Sequence, residues 1–367
     1  MRFSLYINPQ TRDPDDDLKV IDAVTRQAVA ADEAGFSAIY LTEHHFTGYN
    51  AFSDPFMFGA YLAPQIQRAR LGLSVAVPPF HHPLKFVEQC NLLDNLTRGR
   101  AIIGVGAGGG PLELAGFGLQ PEHRRDQTDR VLDIAMQAWA QQPGDPPLDF
   151  ETPFGRGRMD GRIVPSSYRK PHPLIARACV SDDSVVKSAR RGWPVLLGRF
   201  GPERIAHQLG IHREALQAAG HAPELVQECL DWSAMLKLVY VAETDEQARL
   251  DLAGPVDDYL HAAYLANAAD TLEANVGQEN SLIRTAAATP EKRADFLTRA
   301  LIWGSPETVA AELQKFADVG VPQMMLWFTW GYNDPERISR SFQLFVDEVM
   351  PRFAPASAPT TSAPTAS

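Results

Sequence analysis

Phe36-Ser-Ala-Ile-Tyr-Leu-Thr-Glu-His-His-Phe46 runs a short apolar segment straight into two adjacent imidazoles, and what flanks it decides the fold. Phe36 to Leu41 is apolar except for Ser37, the pattern of a strand buried on both faces. Before it, Leu18 to Ala34 repeats apolar residues at helical spacing, and Gly35 closes that helix. The helix–strand unit therefore ends in chemistry: histidine, with an ordinary pKa of about 6.5, takes or gives a proton near neutrality. Glu43 is placed to fix a tautomer. Side chains alternate across a strand, so one of His44 and His45 is expected to face a pocket and the other to be hydrogen-bonded or solvated.

Similar units recur outward from this one. Strand-like runs are read at Phe3 to Ile7, Ala38 to Leu41, Leu71 to Val77, Ala101 to Val105, Leu174 to Ala178, Val195 to Leu197, Leu236 to Val241 and Met324 to Phe328. Helical stretches fall between them, among them Pro83 to Leu96, Gln127 to Ala140, Ser184 to Arg190, Pro202 to Ala219, Ser305 to Ala317 and Pro335 to Val349. Ser305-Pro306-Glu307 marks a helix start, and Gly99 and Gly192 follow helix ends. Eight β units each followed by a helix predict an α/β fold, a (β/α)8 TIM barrel with functional loops at the strand C-terminal ends. A doubly wound open sheet competes. One continuous alternation without a composition break favours the barrel.

The expected organisation is one barrel domain over residues 1–353, with insertions near 141–171 and 253–301 that form lids or interfaces. Residues 354–367 contain only Ala, Pro, Ser and Thr, and predict a disordered tail. With 367 residues and 45% apolar content, the chain has ample material for a core. Its net charge of −11 argues against a nucleic-acid partner. No run approaches the roughly 18 apolar residues of a membrane span, and the N-terminus enters a strand rather than a signal segment. Three scattered cysteines, Cys90, Cys179 and Cys229, fit a reducing cytoplasm.

Other candidate residues lie at the ends of these strands. Gly104-Val-Gly-Ala-Gly-Gly-Gly110 contains a G-x-G-x-x-G pattern, but it arrives with the fourth strand and runs into Pro111, unlike a dinucleotide fingerprint. Its physical content is a backbone free to approach a flat ring. Val180-Ser-Asp-Asp-Ser184 opens a helix whose N-terminal amides offer an anion site, and Ser181 and Ser184 add hydroxyls; ordinary capping is the alternative reading. Arg125 is a candidate cationic partner for phosphate. Metal binding is rejected, since His44-His45 and His81-His82 are adjacent pairs without H-x-x-x-H or H-E-x-x-H spacing. Tyr6, Asn8, Trp327, Phe328 and Trp330 cluster at the ends of the first and last strands as candidate walls of a substrate cavity, with core packing as the alternative.

Taken together, Tyr40-Leu-Thr-Glu-His-His-Phe46, His82-Pro83 and Asn91-Leu-Leu-Asp-Asn-Leu-Thr-Arg-Gly-Arg100 before the glycine loop resemble the bacterial luciferase-like, flavin-dependent monooxygenases (alkanal monooxygenase-like). Weaker likeness continues through Arg125, Ser181 to Gly192, Gly304-Ser-Pro-Glu-Thr308 and Phe345-Val-Asp-Glu-Val-Met-Pro351. The resemblance implies a (β/α)8 barrel that holds reduced FMN, supplied by a separate NAD(P)H-dependent flavin reductase. It also implies O2 and a small organic molecule as substrates, with hydroxylation or Baeyer-Villiger oxygenation through a C4a-peroxyflavin. His44 matches the family's catalytic imidazole, with His45 as neighbour or substitute. Arg125, Ser181 and Ser184 match phosphate-binding positions, and Ser74–Val75 a pair whose linkage is often cis beneath the isoalloxazine. Gly106 stands where luciferase has a cysteine, Ala107 where a second phosphate arginine is found, and Val180 replaces an acidic residue; these departures separate the chain from luciferase proper. A homodimer or heterodimer is expected from the resemblance alone. Competing readings are an F420-dependent oxidoreductase and a non-catalytic flavin-binding subunit of a heterodimer.

Overall fold

The computed structural model describes residues 1–152, 155–267, 290–332 and 334–353. Among the described residues there are eleven strands: β1 (Arg2–Ile7), β2 (Ala38–Leu41), β3 (Arg70–Ala76), β4 (Ala101–Val105), β5 (Leu148–Thr152), β6 (Gly155–Met159), β7 (Leu174–Cys179), β8 (Val195–Leu197), β9 (Ala234–Val241), β10 (Leu301–Gly304) and β11 (Gln323–Trp327). Eight of them, β1-β2-β3-β4-β7-β8-β9-β11, pair in parallel and close on themselves through β8–β9 on one side and β11–β1 on the other. The sequence's eight strand runs are these eight.

Closure follows from side-chain alternation. On β2 the inward Tyr40 joins Ile102, Leu174, Ala176, Leu196, Ala234 and Met325 in a buried cluster. Ile39 and Leu41 face outward, where they join Leu5, Leu71, Leu73 and Ile103 beneath the helical shell. Each such buried aliphatic side chain contributes about 1.5–3 kcal/mol. Ser37, the one polar break before β2, is accommodated because its hydroxyl donates to the Phe3 carbonyl at 2.8 Å. At the N-terminal end of the barrel the Trp232 ring lies 4.4 Å from the guanidinium carbons of both Arg2 and Arg70. That plug leaves the opposite end for a site.

The first predicted insertion contains structure that the pattern reading did not resolve. Within 141–171, β5 and β6 form an antiparallel hairpin. In the second insertion the described parts are helices Ala253–Asn267 and Pro290–Ala300, followed by β10. β10 is a ninth parallel strand, extending the sheet along the C-terminal half of β9, where Leu301 lies opposite Leu238 and Gly304 opposite Val241. Four residues are too few to show a period. The tail 354–367 lies outside the described residues. Among the described residues no helix is long and apolar enough to cross a membrane.

Candidate active site

The loop after β2 is pinned before it reaches the histidines. The Thr42 hydroxyl donates to Asn8 Oδ1 at 2.8 Å, and Asn50 Nδ2 returns to the Thr42 carbonyl at 2.9 Å. Glu43 then turns into the protein, where the amide of Val77 donates to Oε2 at 2.6 Å. Its Oε1 receives His81 Nε2 at 2.8 Å and His45 Nε2 at 3.2 Å. Burial works against the Glu43 charge, but bonds from His45, His81 and the Val77 amide outweigh it and hold the carboxyl below its ordinary value. For His81 burial disfavours the cation, and Glu43 more than compensates, raising it above the ordinary imidazole value.

His44 has a different partner. Its Nδ1 lies 3.0 Å from Glu113 Oε1, and the same oxygen accepts the His45 amide at 2.7 Å. Glu113 is buried on helix Pro111–Gly116, just past the glycine loop. A β-carbon on Gly110 would stand 2.4 Å from Glu113 Oε2, so glycine there makes room for the carboxylate. The expectation that Glu43 sets the tautomer next to it is thus corrected for His44: Glu43 holds His45 and His81, and Glu113 holds His44. With Nδ1–H donated to a carboxylate, Nε2 is the nitrogen left to accept or deliver a proton. The His44 side chain is 31% exposed against 15% for His45. His44 packs edge-on to Tyr49 at 4.9 Å, whereas His45 sits among Phe46, Phe80 and Phe117.

On the neighbouring strand β3, Ser74–Val75 is a cis non-proline peptide, located where the β3–β4 register slips between Leu73 and Ala76. Val75 and Gly106 are fitted to each other: a β-carbon at 106 would come within 2.7 Å of Val75 Cγ2. A branched side chain on β3 and a glycine just past β4 therefore form one surface, partly open at Ser74 and Val75.

At β7 the chain passes from Cys179 through Val180 into helix Asp182–Arg190. Ser181 caps that helix, its hydroxyl accepting the Ser184 amide at 3.3 Å while Ser184 Oγ accepts the Ser181 amide at 3.2 Å, a reciprocal capping box. Both serines predicted for anion binding thus serve the cap. The Val180 carbonyl accepts Gln208 Nε2 at 3.2 Å. Arg125 lies in the first turn of helix Arg124–Ala140. That helix is fixed beside β7 by Arg177–Asp129 at 2.8 Å and beside the Ser181 helix by Arg191–Asp133 at 2.6 Å. Arg125 and Ser181 consequently open neighbouring helices at the same end of the barrel.

The predicted aromatic wall divides. Tyr6 and Trp327 point inward with ring centroids 5.4 Å apart, and Trp330 joins them through Tyr259, 5.5 Å from Trp327 and 5.9 Å from Trp330. Phe328 does not belong there. Its ring packs on Phe342 at 5.3 Å and Phe345 at 5.6 Å in the outer core, because residues 327 and 328 alternate across β11's end. Asn8 is buried with Oδ1 engaged by Thr42 and Nδ2 without a partner among the described residues. Glu113, Tyr49, Arg199 and Tyr259 were not singled out by the sequence. Pro111 as a helix start could have pointed to Glu113; nothing in the pattern pointed to the others.

Residues 1–323 match the model of the family described as luciferase-like monooxygenase. An alkanal monooxygenase alpha chain from a Kryptophanaron alfredi symbiont is 23% identical over 96% of this chain and 98% of its own length. Among solved structures, the FMN complex of the oxygenating constituent of 3,6-diketocamphane monooxygenase from Pseudomonas putida, a type II Baeyer-Villiger enzyme, superposes with a TM-score of 0.75. It is 21% identical over 96% of this chain and 98% of that one. An F420-dependent secondary alcohol dehydrogenase bound to an F420-acetone adduct superposes with a TM-score of 0.69, at 14% identity over 95% and 97% of the two chains. The chain belongs to the luciferase-like monooxygenase family.

Proposed function

We propose that this protein is an FMN-dependent monooxygenase that oxygenates a small organic molecule with O2, by hydroxylation or Baeyer-Villiger insertion, using FMNH2 delivered by a separate NAD(P)H-dependent reductase. One observation carries the reading: the His44–Glu113 pair, the Val75–Gly106 surface and the Ser181 and Arg125 helix starts all lie at the C-terminal mouth of one barrel. The residues fit the cofactor. A flat ring system needs a level apolar face, which Val75 offers with its side chain packed into the space that Gly106 leaves. A phosphate needs a helix start and a cation, and the N-terminus of helix Asp182–Arg190, capped by Ser181 and Ser184, opens beside the helix that carries Arg125.

When bound and reduced, the flavin supplies the electrons for oxygen activation. The chain's own residues do the rest. His44 holds or moves a proton at Nε2 while Glu113 fixes its ring through Nδ1. His45, tied to Glu43, backs it and closes the apolar side of the loop with Phe80 and Phe117. Tyr6, Trp327 and Trp330 provide a water-poor wall for the substrate. Three buried free thiols fit a cytoplasmic setting, and a dimer is the expected assembly.

The likeness to an F420 enzyme keeps hydride transfer with that deazaflavin as the second reading. Anaerobic titration with reduced FMN and reduced F420 separates the two, followed by mixing with oxygenated buffer. FMN binding and a long-lived oxidation phase are expected. Binding and substrate turnover with F420 alone would overturn the proposal. Tight FMN binding with no turnover of any screened substrate would instead favour a non-catalytic flavin-binding subunit.

A further inference from the structure

Two neighbours in the helical shell leave a gap between them. Helix Asp17–Ala34 follows β1 and helix Pro335–Leu344 follows β11, and because those strands pair in parallel, the two helices run side by side along the outside of the barrel. Between them lies a cleft of about 800 Å³, within the roughly 300–1,000 Å³ of small-molecule sites. Val20, Ala23 and Val24 line it from the first helix, and Ile338, Ser339 and Phe342 from the last. Ala23 and Ser339 are too short to bridge the space, while Val24 and Phe342, buried in the outer core, give it an apolar floor.

The end nearest the strand termini is formed by Gln10 and Thr329, from the loops after β1 and β11. Gln10 is 5% exposed, and its Oε1 accepts the Gly331 amide at 2.8 Å. Its Nε2 is thereby left a buried donor without a partner among the described residues. Thr329 Oγ1 and both amide atoms of Gln27, which also lines the cleft, are buried and unpartnered too. Buried polar groups ordinarily find partners, so three such side chains around one cleft mark it out. Trp327 and Trp330 belong to the inner cluster and Phe342 to the outer one, which puts the cleft on the far side of the barrel wall from His44.

We propose that this cleft is a second ligand site, outside the barrel, and that it takes an uncharged molecule with an apolar body and a carbonyl oxygen held by Gln10 and Thr329. It goes beyond the oxygenase reading and stands independently of it.

The charges around the cleft cancel. Lys19 is paired with Asp16 at 2.7 Å, and Arg12 with Asp258, the Arg12 guanidinium also lying 4.1 Å from the Tyr332 ring. Arg26 and Glu336, both exposed at its rim, are of opposite sign. An ion would therefore lose its hydration without an opposite charge to replace it. The buried atoms select the head group instead: Gln10 offers an N–H and Thr329 an O–H, both donors to a carbonyl oxygen. Such an oxygen offsets the cost of burying those donors alone, and the apolar body covers Val20, Val24, Ile338 and Phe342.

The test uses the full chain without flavin and benzophenone, an uncharged ketone that near-ultraviolet light joins to adjacent C–H bonds; labelled peptides are mapped by mass spectrometry. Label is expected within residues 17–34 and 335–344. Ala23→Trp, which fills the cleft from a partly exposed helix position, should lower that label at least about fivefold and leave any label at the barrel mouth unchanged. Thr329→Val and Gln10→Glu should each lower it about threefold or more, as the loss of one hydrogen bond requires. The anionic ketone 4-benzoylbenzoate should label the cleft about tenfold less than benzophenone. Far-UV circular dichroism reports whether each variant is folded, and Thr329→Val, which changes a partly exposed side chain, carries the test if another is not. Absence of label from both helices, label that persists in Ala23→Trp, equal label in Thr329→Val, or equal label by the anion would each overturn the proposal.

Discussion

Replacing Glu43 with glutamine tests whether one buried carboxylate organises both sides of the mouth. It accepts three bonds, from the Val77 amide at 2.6 Å, His81 at 2.8 Å and His45 at 3.2 Å. Hydrogen bonds to a charged group are worth about 1.5–3 kcal/mol each, and the long one to His45 less. Glutamine keeps the shape but has one acceptor oxygen and presents an NH2 to at least one donor. About half the interaction should vanish, a destabilisation of about 2–4 kcal/mol in urea unfolding of the flavin-free protein. The pH dependence has a fixed sign. Glu43's folded pKa lies below 4.5, so its contribution is whole above that value and is lost as pH falls through the depressed folded value. His81's folded pKa lies above 6.5, so its contribution is whole below that value and is lost as pH rises through the raised one. The gap between wild type and Glu43→Gln should therefore be widest between about 4.5 and 6.5 and narrow on both sides. A variant within about 0.5 kcal/mol of wild type across that window would refute the reasoning.

Three further outcomes are expected. His44→Ala should retain FMN binding and lose turnover, and unchanged turnover would remove His44 from the chemistry. Arg125→Ala should weaken FMN by about 1–3 kcal/mol in a binding titration, with equal affinity ruling out a phosphate contact. Gly106→Cys puts a β-carbon 2.7 Å from Val75 Cγ2 and should destabilise by about 1–3 kcal/mol. Adding Val75→Ala should recover part of that loss in a double-mutant cycle, and strictly additive effects would show that the two positions do not touch.

What the residues alone made legible was whatever depends on periodicity and on local punctuation. The barrel could be read because eight runs such as Ala38 to Leu41 and Ala101 to Val105 are apolar on both faces, and glycine or proline marks the helix ends between them. Ser181 could be read because a helix cap is a matter of four consecutive residues, here Ser181 to Ser184. His44 and His45 stood out by type and place, and the resemblance of the surrounding motif added their role. β10 escaped because four residues show no period, and Phe328 was misplaced because the alternation that turns it away from inward-facing Trp327 was not applied to the end of β11.

Glu43 beside His45 was legible in the sequence, but the partners of His44 and His81 belong to the tertiary structure alone. Glu113 is 69 residues from His44, and Glu43 meets His81 across 38 residues, while the sequence neighbours Glu43 and His44 turn to different carboxylate–imidazole sets. Arg199 and Tyr259, 60 residues apart, likewise meet only because the barrel closes. Side-chain alternation and helix capping are local rules and are written in order along the chain. Which carboxylate holds which imidazole depends on where closure of the sheet carries distant loops, and no local rule records that distance.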